Sequence, residues 1–284
     1  MNLNKLNKLR LLIFALIMSS IFPLHQAAGG AWPQKKGGGY YKVDFRYVSG
    51  TKIYTPDGKK VPIPKFSDMT VGAFATYGFT NELTGFIGAA LFKSIKLDTT
   101  SAAFGSDTEL RGFGDIAPGI KYRIAKFSNS VVSGKLILVL PTGKSEPDSG
   151  LWIGSNDFHQ IIGFEYGHSL YPIPAYLNAG VSFSNRTNGF SDHFNYAVEA
   201  GYKFFKDLSL IVRLHGQLSF ENGDENVYGG FGIFSNNQQF VAYNAELVYK
   251  VIDNFGVKAY YESGGAGKNI ISAPVINLGV FFTH

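Results

Sequence analysis

The chain has 284 residues, a formal net charge of +5, no cysteine, and many glycine and aromatic residues. Without cysteine it cannot hold a disulfide framework, a thiolate metal site or a lipid on an N-terminal cysteine. Basic residues form no run of five or more, so the positive charge does not indicate a nucleic-acid partner.

The N-terminal residues have the layout of a secretory signal peptide. Lys5, Lys8 and Arg10 form a positive region, an apolar stretch covers residues 11–24, and small residues follow at 27–31. The apolar stretch is too short and too poorly flanked to indicate a membrane-spanning helix. We therefore predict a cleaved signal peptide, with a retained N-terminal anchor as the alternative.

Residues 31–284, which follow the predicted signal peptide of residues 1–30, alternate between apolar and polar side chains over long stretches. The clearest case runs from Leu208 to Phe220, where the even positions are apolar and most odd positions are polar. This period is that of a β-strand, and a tilted strand of about ten residues is long enough to cross a bilayer. In chain order, the pattern predicts about twelve strands, near residues 41–47, 68–79, 84–96, 115–124, 131–141, 158–166, 174–184, 193–204, 208–220, 241–251, 257–262 and 272–283.

The predicted connections alternate between tight turns and long loops. Tight turns are expected near residues 80–82, 127–129, 171–172, 206–207 and 253–254, and long loops near 49–67, 97–112, 142–157, 185–192, 221–237 and 263–271. Aromatic residues, which favour the membrane–water interface, collect beside the tight turns. They are Tyr77, Phe79, Tyr166, Tyr171, Tyr176, Tyr202, Phe204, Phe205, Tyr249 and Phe255.

This layout predicts an all-β fold, a single transmembrane antiparallel up-and-down β-barrel of about twelve strands in the bacterial outer membrane. Residues 31–284 would form that one domain, with the short turns in the periplasm. The alternative is a soluble sandwich whose apolar faces meet in a core.

The polar face of each strand would line the lumen of such a barrel. Its charged and histidine residues are the candidate site: Lys42, Asp44, Arg46, Asp115, Lys121, Arg123, Lys135, His159, Glu165, Glu199, Lys203, Arg213, His215, Glu246, Lys250, Lys258 and Glu262. Charges of both signs can pair into a structural lattice of ion pairs, or they can form a selectivity surface for a small solute. The two roles are compatible.

The sequence carries no recognisable motif for catalysis, for a metal or for a cofactor. His159, His168, His193 and His215 are the histidines to examine for a barrel hydrolase, but none belongs to a nucleophile motif of the G-x-S-x-G kind. We therefore expect no enzyme activity, no catalytic residue, no cofactor and no metal.

The segment Gly112-Phe113-Gly114-Asp115-Ile116-Ala117-Pro118-Gly119-Ile120-Lys121-Tyr122-Arg123 resembles a characteristic strand of a bacterial outer-membrane family. That family is named for transport in the meta pathway of phenol degradation. The strand end at residues 140–143, the acidic loop at 146–148 and Ile153-Gly154-Ser155 are similar to further markers of the family. The resemblance implies an outer-membrane barrel that offers small organic compounds a passive route. In one departure, the chain ends in Thr283-His284, whereas barrel-assembly signals commonly end on an aromatic residue.

From the polar lumen and the resemblance we expect an outer-membrane channel or transporter for passive uptake or efflux of small, hydrophobic or aromatic compounds. Two other functions stay open: a closed structural or surface-binding barrel that acts through its long extracellular loops, and a barrel hydrolase. The expected partners are membrane lipid and lipopolysaccharide, the barrel-assembly machinery and a small-molecule solute, and no nucleic acid.

Overall fold

The computed structural model describes residues 30–98, 108–146 and 150–284. The predicted signal peptide, apart from Gly30, and most of the acidic loop at 146–148 lie outside the described residues. The strands are β1 (Gly39–Tyr54), β2 (Lys60–Gly78), β3 (Leu83–Asp98), β4 (Thr108–Gly112), β5 (Ile116–Lys126), β6 (Ser130–Val139), β7 (Ser145–Glu146), β8 (Leu151–Trp152), β9 (His159–Ser169), β10 (Ala175–Arg186), β11 (His193–Lys203), β12 (Leu208–Ser219), β13 (Gln239–Ile252), β14 (Phe255–Lys268), β15 (Ile270–Ile271) and β16 (Val275–Thr283).

The long strands form one closed antiparallel barrel of twelve strands. Each long strand pairs with the next one along the chain, and β1 pairs with β2 along one edge and with β16 along the other, which closes the sheet into a cylinder. Of the short strands, β4 extends the wall beside β3, β15 pairs with the end of β1, and β7 and β8 form a separate hairpin. The predicted all-β barrel of about twelve strands is confirmed. Among the described residues there is no helix long and apolar enough to span a membrane.

The barrel wall is apolar on the outside and polar on the inside. In β1, Val43 and Phe45 face outward with 46% and 39% of their surface exposed, whereas Lys42, Asp44 and Arg46 between them are buried. A water-soluble sheet would show the reverse arrangement. Lipid offers the backbone no hydrogen-bond partner, so a closed sheet with an apolar outer face is the form in which strands cross a bilayer. The soluble-sandwich alternative is therefore wrong.

The two ends of the barrel differ as the loop lengths predict. Short turns join the strands at one end, where β1 begins and the chain ends, and Gly39 N donates a hydrogen bond to His284 O there. We call this the periplasmic end. The predicted aromatic residues that are exposed around it are Tyr77, Phe79, Tyr166, Tyr171, Tyr202, Phe204, Phe205 and Tyr249. Phe255 is half-buried. Tyr176 differs from the prediction, because its hydroxyl donates to Glu199 inside the lumen.

Two predicted loops are shorter than expected. β1 and β2 continue as a hairpin through most of residues 49–67 and leave only 55–59 as the connection, and β14 continues to Lys268 within the predicted loop at 263–271. These extensions lie beyond the apolar band, where neither face has to be apolar. The alternation that marks the other strands is therefore absent from them.

The outward orientation of the wall is testable at Phe164, near the middle of β9, which is 55% exposed. An arginine on the lipid face costs about 2–4 kcal/mol near the bilayer midplane. We expect Phe164→Arg to lower the free energy of unfolding by about that amount in urea titrations of the barrel refolded into lipid vesicles. The matched control is Ile173→Arg, in a periplasmic turn and 56% exposed. An equal loss in both variants would contradict the assigned orientation.

Candidate functional site in the barrel lumen

The lumen of the barrel is the candidate site, and its contents form three layers. Two inward-folded loops cover the extracellular end. Ion pairs between neighbouring strands cross the middle. The N-terminal segment, Gly30–Gly38, enters from the periplasmic end. Most of the charged residues identified from the sequence lie in the middle layer.

One run of polar contacts connects five neighbouring strands from β14 to β10. Lys258 Nζ lies 2.6 Å from Glu246 Oε1, and Arg213 Nη2 lies 2.6 Å from Glu199 Oε2 and 3.6 Å from Glu246 Oε2. The Tyr176 hydroxyl donates to Glu199 Oε1 at 2.6 Å. Arg213 and Glu199 meet because they are directly opposite in the register of β11 and β12. The pairing satisfies buried charges that would otherwise be costly to remove from water.

A second run connects β1, β2 and β3 through the carboxylate of Asp68. Arg46 Nη1 lies 3.0 Å and Lys93 Nζ 2.9 Å from the same oxygen, Asp68 Oδ2. The Thr70 hydroxyl donates to the other oxygen at 2.8 Å. Asp68 is fully buried, so these three donors replace the water that its charge has lost. Lys42 pairs with its strand neighbour, Asp44, at 2.5 Å.

A third run connects β5, β6 and β9 through Glu165. Lys121 and Lys135 are directly opposite in the register of β5 and β6, a like-charge arrangement that repels. Glu165 bridges them, because its Oε2 lies 2.8 Å from Lys121 Nζ and its Oε1 lies 2.8 Å from Lys135 Nζ. All three side chains have little exposed surface, and Glu165 is the carboxylate that pairs with both lysines.

The structure brings most of the predicted site residues together in the lumen. Those that are buried or nearly buried are Lys42, Asp44, Arg46, Lys121, Lys135, His159, Glu165, Glu199, Arg213, His215, Glu246, Lys258 and Glu262. Arg123, Lys203 and Lys250 have the inward parity but lie at the periplasmic rim, where Arg123 pairs with Glu82 and both lysines are exposed. Alternation gives the side of a strand that a residue occupies, and it does not give the residue's depth along the barrel axis.

Asp115 uses its carboxylate to hold a loop. Its Oδ1 accepts a hydrogen bond from Gly143 N at 3.0 Å, and its Oδ2 accepts one from Ser155 N at 2.7 Å. The Thr142 hydroxyl donates to Gly114 O beside it. Asp115 therefore positions the loop between β6 and β9, although it also borders a cavity in the lumen.

Among the described residues, apolar packing covers the extracellular end. The described parts of the loop at residues 140–158 and the loop at 220–238 fold inward and are joined by a hydrogen bond from Phe231 N to Gly150 O. Side chains of these loops and of the strands below them form one buried cluster: Phe66, Ile95, Leu97, Leu110, Leu151, Ile153, Ile233 and Ile271. We call this cluster the extracellular cap. Removal of its apolar surface from water is what stabilises it.

Between the extracellular cap and the periplasmic end, described residues line two cavities that concern the site. The first chamber has a volume of about 120 Å³ and lies against the cap residues Ile153 and Ile233. The second chamber has a volume of about 70 Å³, is lined by Arg213 and reaches Gly30. Asn195 lines both chambers, so they are neighbours along the lumen.

His159 forms a buried pair with Asp157, whose carboxylate also binds Arg186. His159 Nε2 lies 2.8 Å from Asp157 Oδ1, and Arg186 donates two hydrogen bonds to the same carboxylate. The nearby Ser155 hydroxyl donates instead to the Asp157 backbone carbonyl, so it is not aligned as a nucleophile. Burial alone would raise the pKa of the Asp157 carboxyl, but the hydrogen bonds from His159 and Arg186 outweigh burial and hold that pKa below its ordinary value.

The sequence-based set omits further lumen residues, among them Asp68, Lys93, Tyr176 and Trp32. Asp68 and Lys93 lie on β2 and β3, where small and apolar residues on both faces obscure the alternation. Asp68 and Thr70 occupy alternate positions of β2, on the face of the strand that lines the lumen, and this alternation is the sequence feature that indicates their placement. Tyr176 lies beside a tight turn, as aromatic residues of the membrane interface do, so the sequence does not place it in the lumen. Trp32 precedes the first strand, where alternation of apolar and polar residues gives no information.

The fold and the lumen together define the class of protein: a closed twelve-stranded antiparallel β-barrel with the fold of outer-membrane barrels. The profile of the family described as "Putative MetA-pathway of phenol degradation" matches residues 52–273. The chain belongs to this family, which confirms the resemblance seen in the sequence.

Solved structures share the fold. An outer membrane channel from Pseudomonas putida F1 matches with a TM-score of 0.71 and 14% identity, over 93% of this chain and 100% of the other. The β domain of the Bordetella autotransporter BrkA matches with a TM-score of 0.50 and 12% identity, over 88% of this chain and 100% of the other. No curated protein matches the sequence.

The dependence of the third run on Glu165 gives a stability prediction. Glu165→Gln leaves two buried lysine charges side by side, and breaking a buried pair in this way costs about 3–5 kcal/mol. We expect the urea midpoint of the refolded barrel to fall accordingly. The matched control is Asp57→Asn, which removes the partner of Lys59 in an exposed pair and should leave the midpoint unchanged. A midpoint for Glu165→Gln equal to that of the control would contradict the bridging role.

Proposed function

We propose that the protein is a channel that gives small hydrophobic or aromatic compounds a passive route across the bacterial outer membrane. The observation that carries the proposal is the mixed apolar and polar lining of the first chamber. Membership of the phenol-degradation family and the shared fold with an outer membrane channel support it.

The first chamber combines the two kinds of contact that an aromatic solute with one polar group needs. Phe74, Val139 and Ile161 are buried apolar side chains of its wall, while Asn195 and Gln217 supply hydrogen-bonding groups. Pockets for small ligands are commonly apolar with a few placed polar groups. The volume of about 120 Å³ is close to that of an engineered apolar cavity of roughly 150 Å³ that binds benzene. A solute of about one aromatic ring therefore fits.

The ion-paired layer favours such a solute over free ions. Each lumen carboxylate that bridges two strands already has cationic partners, so the wall offers little unpaired charge to attract an ion of either sign. A barrel of twelve strands lies between the side-chain-filled barrels of about eight and the open porins of about sixteen. We expect low ionic conductance together with measurable flux of small aromatic molecules.

A second candidate function is a permanently closed barrel that acts through its surface. The extracellular cap and the N-terminal segment, which close the two ends, favour it. Under this alternative, the loops at 140–158 and 220–238 carry the activity and no solute crosses the barrel. A transport measurement separates the two candidates.

We infer that the protein resides in the outer membrane, with its exposed apolar band against lipid and lipopolysaccharide, after insertion by the barrel-assembly machinery. The apolar outer face and the short turns at one end support this placement. The chain ends in Thr283-His284 and not in an aromatic residue, but its last strand is paired up to Thr283. Tyr40 pairs with Thr283, and Tyr41 pairs with Phe282.

The proposal predicts that filling the first chamber blocks transport. Ile161 lines the chamber and is buried, whereas the next residue, Ile162, faces outward and is 57% exposed. We expect Ile161→Trp to lower the flux of benzamide, an uncharged aromatic probe, into vesicles carrying the refolded barrel several-fold relative to protein-free vesicles, because the larger ring occupies the chamber. Ile162→Trp, the same change on the lipid face, should leave the flux unchanged.

The two outcomes that oppose the proposal are distinct. Equal flux for the two tryptophan variants would exclude the first chamber as the route. No flux in any folded barrel, with folding checked by heat-modifiable migration in detergent gels, would favour the permanently closed barrel.

A further inference from the structure

The second chamber differs from the first in its chemistry. The first chamber lies against apolar side chains of the wall and of the extracellular cap, whereas polar and charged side chains surround much of the second. Strand β12 passes both chambers: Gln217 lines the first, and His215 and Arg213, the next inward residues, line the second. Successive inward residues of a strand are roughly 6–7 Å apart, so one small aromatic molecule can reach from one chamber into the other.

His215 carries a buried nitrogen without a hydrogen-bond partner. The residue is 9% exposed, and its Nε2 is shielded from solvent and has no partner among the described residues. The register of the sheet explains this, because the residues directly opposite on either side are Ala197 and Ala242, which have no polar side-chain atom. Phe240 packs edge-to-face against the imidazole, with ring centroids 6.2 Å apart. The sheet therefore holds His215 in place and leaves its nitrogen unsatisfied.

Arg213 also has a nitrogen without a partner. Its Nε and Nη2 both lie 2.6 Å from Glu199 Oε2, and Nη2 lies 3.6 Å from Glu246 Oε2. The remaining nitrogen, Nη1, is shielded from solvent and has no acceptor among the described residues, and the side chain is only 10% exposed. A buried donor without an acceptor is costly and rare in folded proteins. Two such nitrogens on the lining of one chamber therefore indicate that a bound group completes the site.

The charges of the second chamber determine which group suits the two nitrogens. The positive charge of Arg213 is already balanced by Glu199 and Glu246. Lys135, which also lines the chamber, is paired with Glu165. An incoming carboxylate would be repelled by the two glutamates of the lining and would find no unbalanced cation. A neutral carbonyl oxygen offers two acceptor lone pairs without a net charge, so it meets no such repulsion.

We propose that Arg213 and His215 form a polar subsite that binds the carbonyl oxygen of an uncharged aromatic solute, while the ring of the solute occupies the first chamber. The first chamber, at about 120 Å³, accommodates a ring, whereas the second, at about 70 Å³, is too small for one and suits the carbonyl group. A small rotation of the guanidinium or of the imidazole presents the free nitrogen to that group. This inference rests on the proposed channel function and narrows its solutes to aromatic amides, aldehydes and ketones.

The test is a calorimetric titration of the refolded barrel in detergent, with the heat of partitioning into protein-free micelles subtracted. The ligands are benzamide and toluene, which has the ring without the carbonyl. His215→Phe keeps an aromatic ring beside Phe240 and removes the nitrogen. We expect this change to weaken benzamide binding several-fold and to leave toluene binding unchanged. A mere change in the shape of the chamber would weaken the binding of both ligands.

A second variant and a matched control accompany this measurement. Arg213→Lys keeps a positive charge between its two glutamates but removes the forked guanidinium, so we expect the same selective loss of benzamide binding. The control is His168→Phe, the same substitution at a histidine that is hydrogen-bonded to the Ser130 hydroxyl and lines neither chamber. It should bind both ligands as the wild type does. Heat-modifiable migration checks folding of each variant.

Benzoate tests the preference for an uncharged group. It has the size of benzamide but carries a negative charge, and we expect the wild type to bind it several-fold more weakly than benzamide. Benzoate binding as tight as that of benzamide would overturn the subsite. No measurable benzamide binding to the wild type, or equal benzamide affinity in the wild type and His215→Phe, would also overturn it.

The subsite and the channel can fail separately, because binding is measured without transport. Selective benzamide binding without benzamide flux into vesicles would support the subsite and overturn the channel function. Benzamide flux that is equal in the wild type and His215→Phe, with equal affinities, would overturn the subsite and leave the channel standing.

Discussion

The antiparallel pairing of β1 with both β2 and β16 is the interaction on which the rest of the structure depends. Lipid cannot accept or donate backbone hydrogen bonds, so a sheet that crosses a bilayer has to satisfy all of them within itself. Once β1 has two partners, the strands form a cylinder, and each residue faces either lipid or the lumen. The outer face then has to be apolar, and the polar half of each strand is confined to one narrow space.

That confinement explains how the charges are arranged. In each of the three runs, one carboxylate bridges cations from other strands: Asp68, Glu165 and Glu246. A carboxylate can accept from two cations at once, through separate oxygens at Glu165 and Glu246 and through one oxygen at Asp68, so one acidic residue satisfies two neighbours. The repeated bridge fixes the lumen side chains in place. The chambers are the volumes that these fixed side chains and the extracellular cap leave unfilled.

The sequence predicts the wall well and the contents of the lumen only partly. Alternation in β12 and β13 places Arg213 and Glu246 on one face, because the side chains of a strand repeat every two residues. The same rule applies to Lys203 and Lys250, yet these lysines lie at the rim. Alternation gives the face of the strand that a residue occupies, and it does not give the residue's position along the barrel axis. Tyr176 belongs to the aromatic residues beside the tight turns, which suggests the membrane interface, yet its side chain points into the lumen. Trp32 belongs to no strand, so its position depends on contacts with residues more than a hundred positions away, which no local pattern records.

The two ends of the lumen are closed by different physical interactions, and this difference sets which of them opens more readily. The extracellular cap is held by buried apolar side chains, and water cannot replace that stabilisation when the cap opens. The N-terminal segment is held mainly by hydrogen bonds to Asn178, Ser133 and Thr84, and water can replace these at a small net cost, about 1 kcal/mol for a typical hydrogen bond. The segment is also outside the sheet, so its movement leaves the wall intact. Displacement of the segment would therefore disturb less of the fold than displacement of the extracellular cap, whose buried apolar side chains come from strands as well as loops.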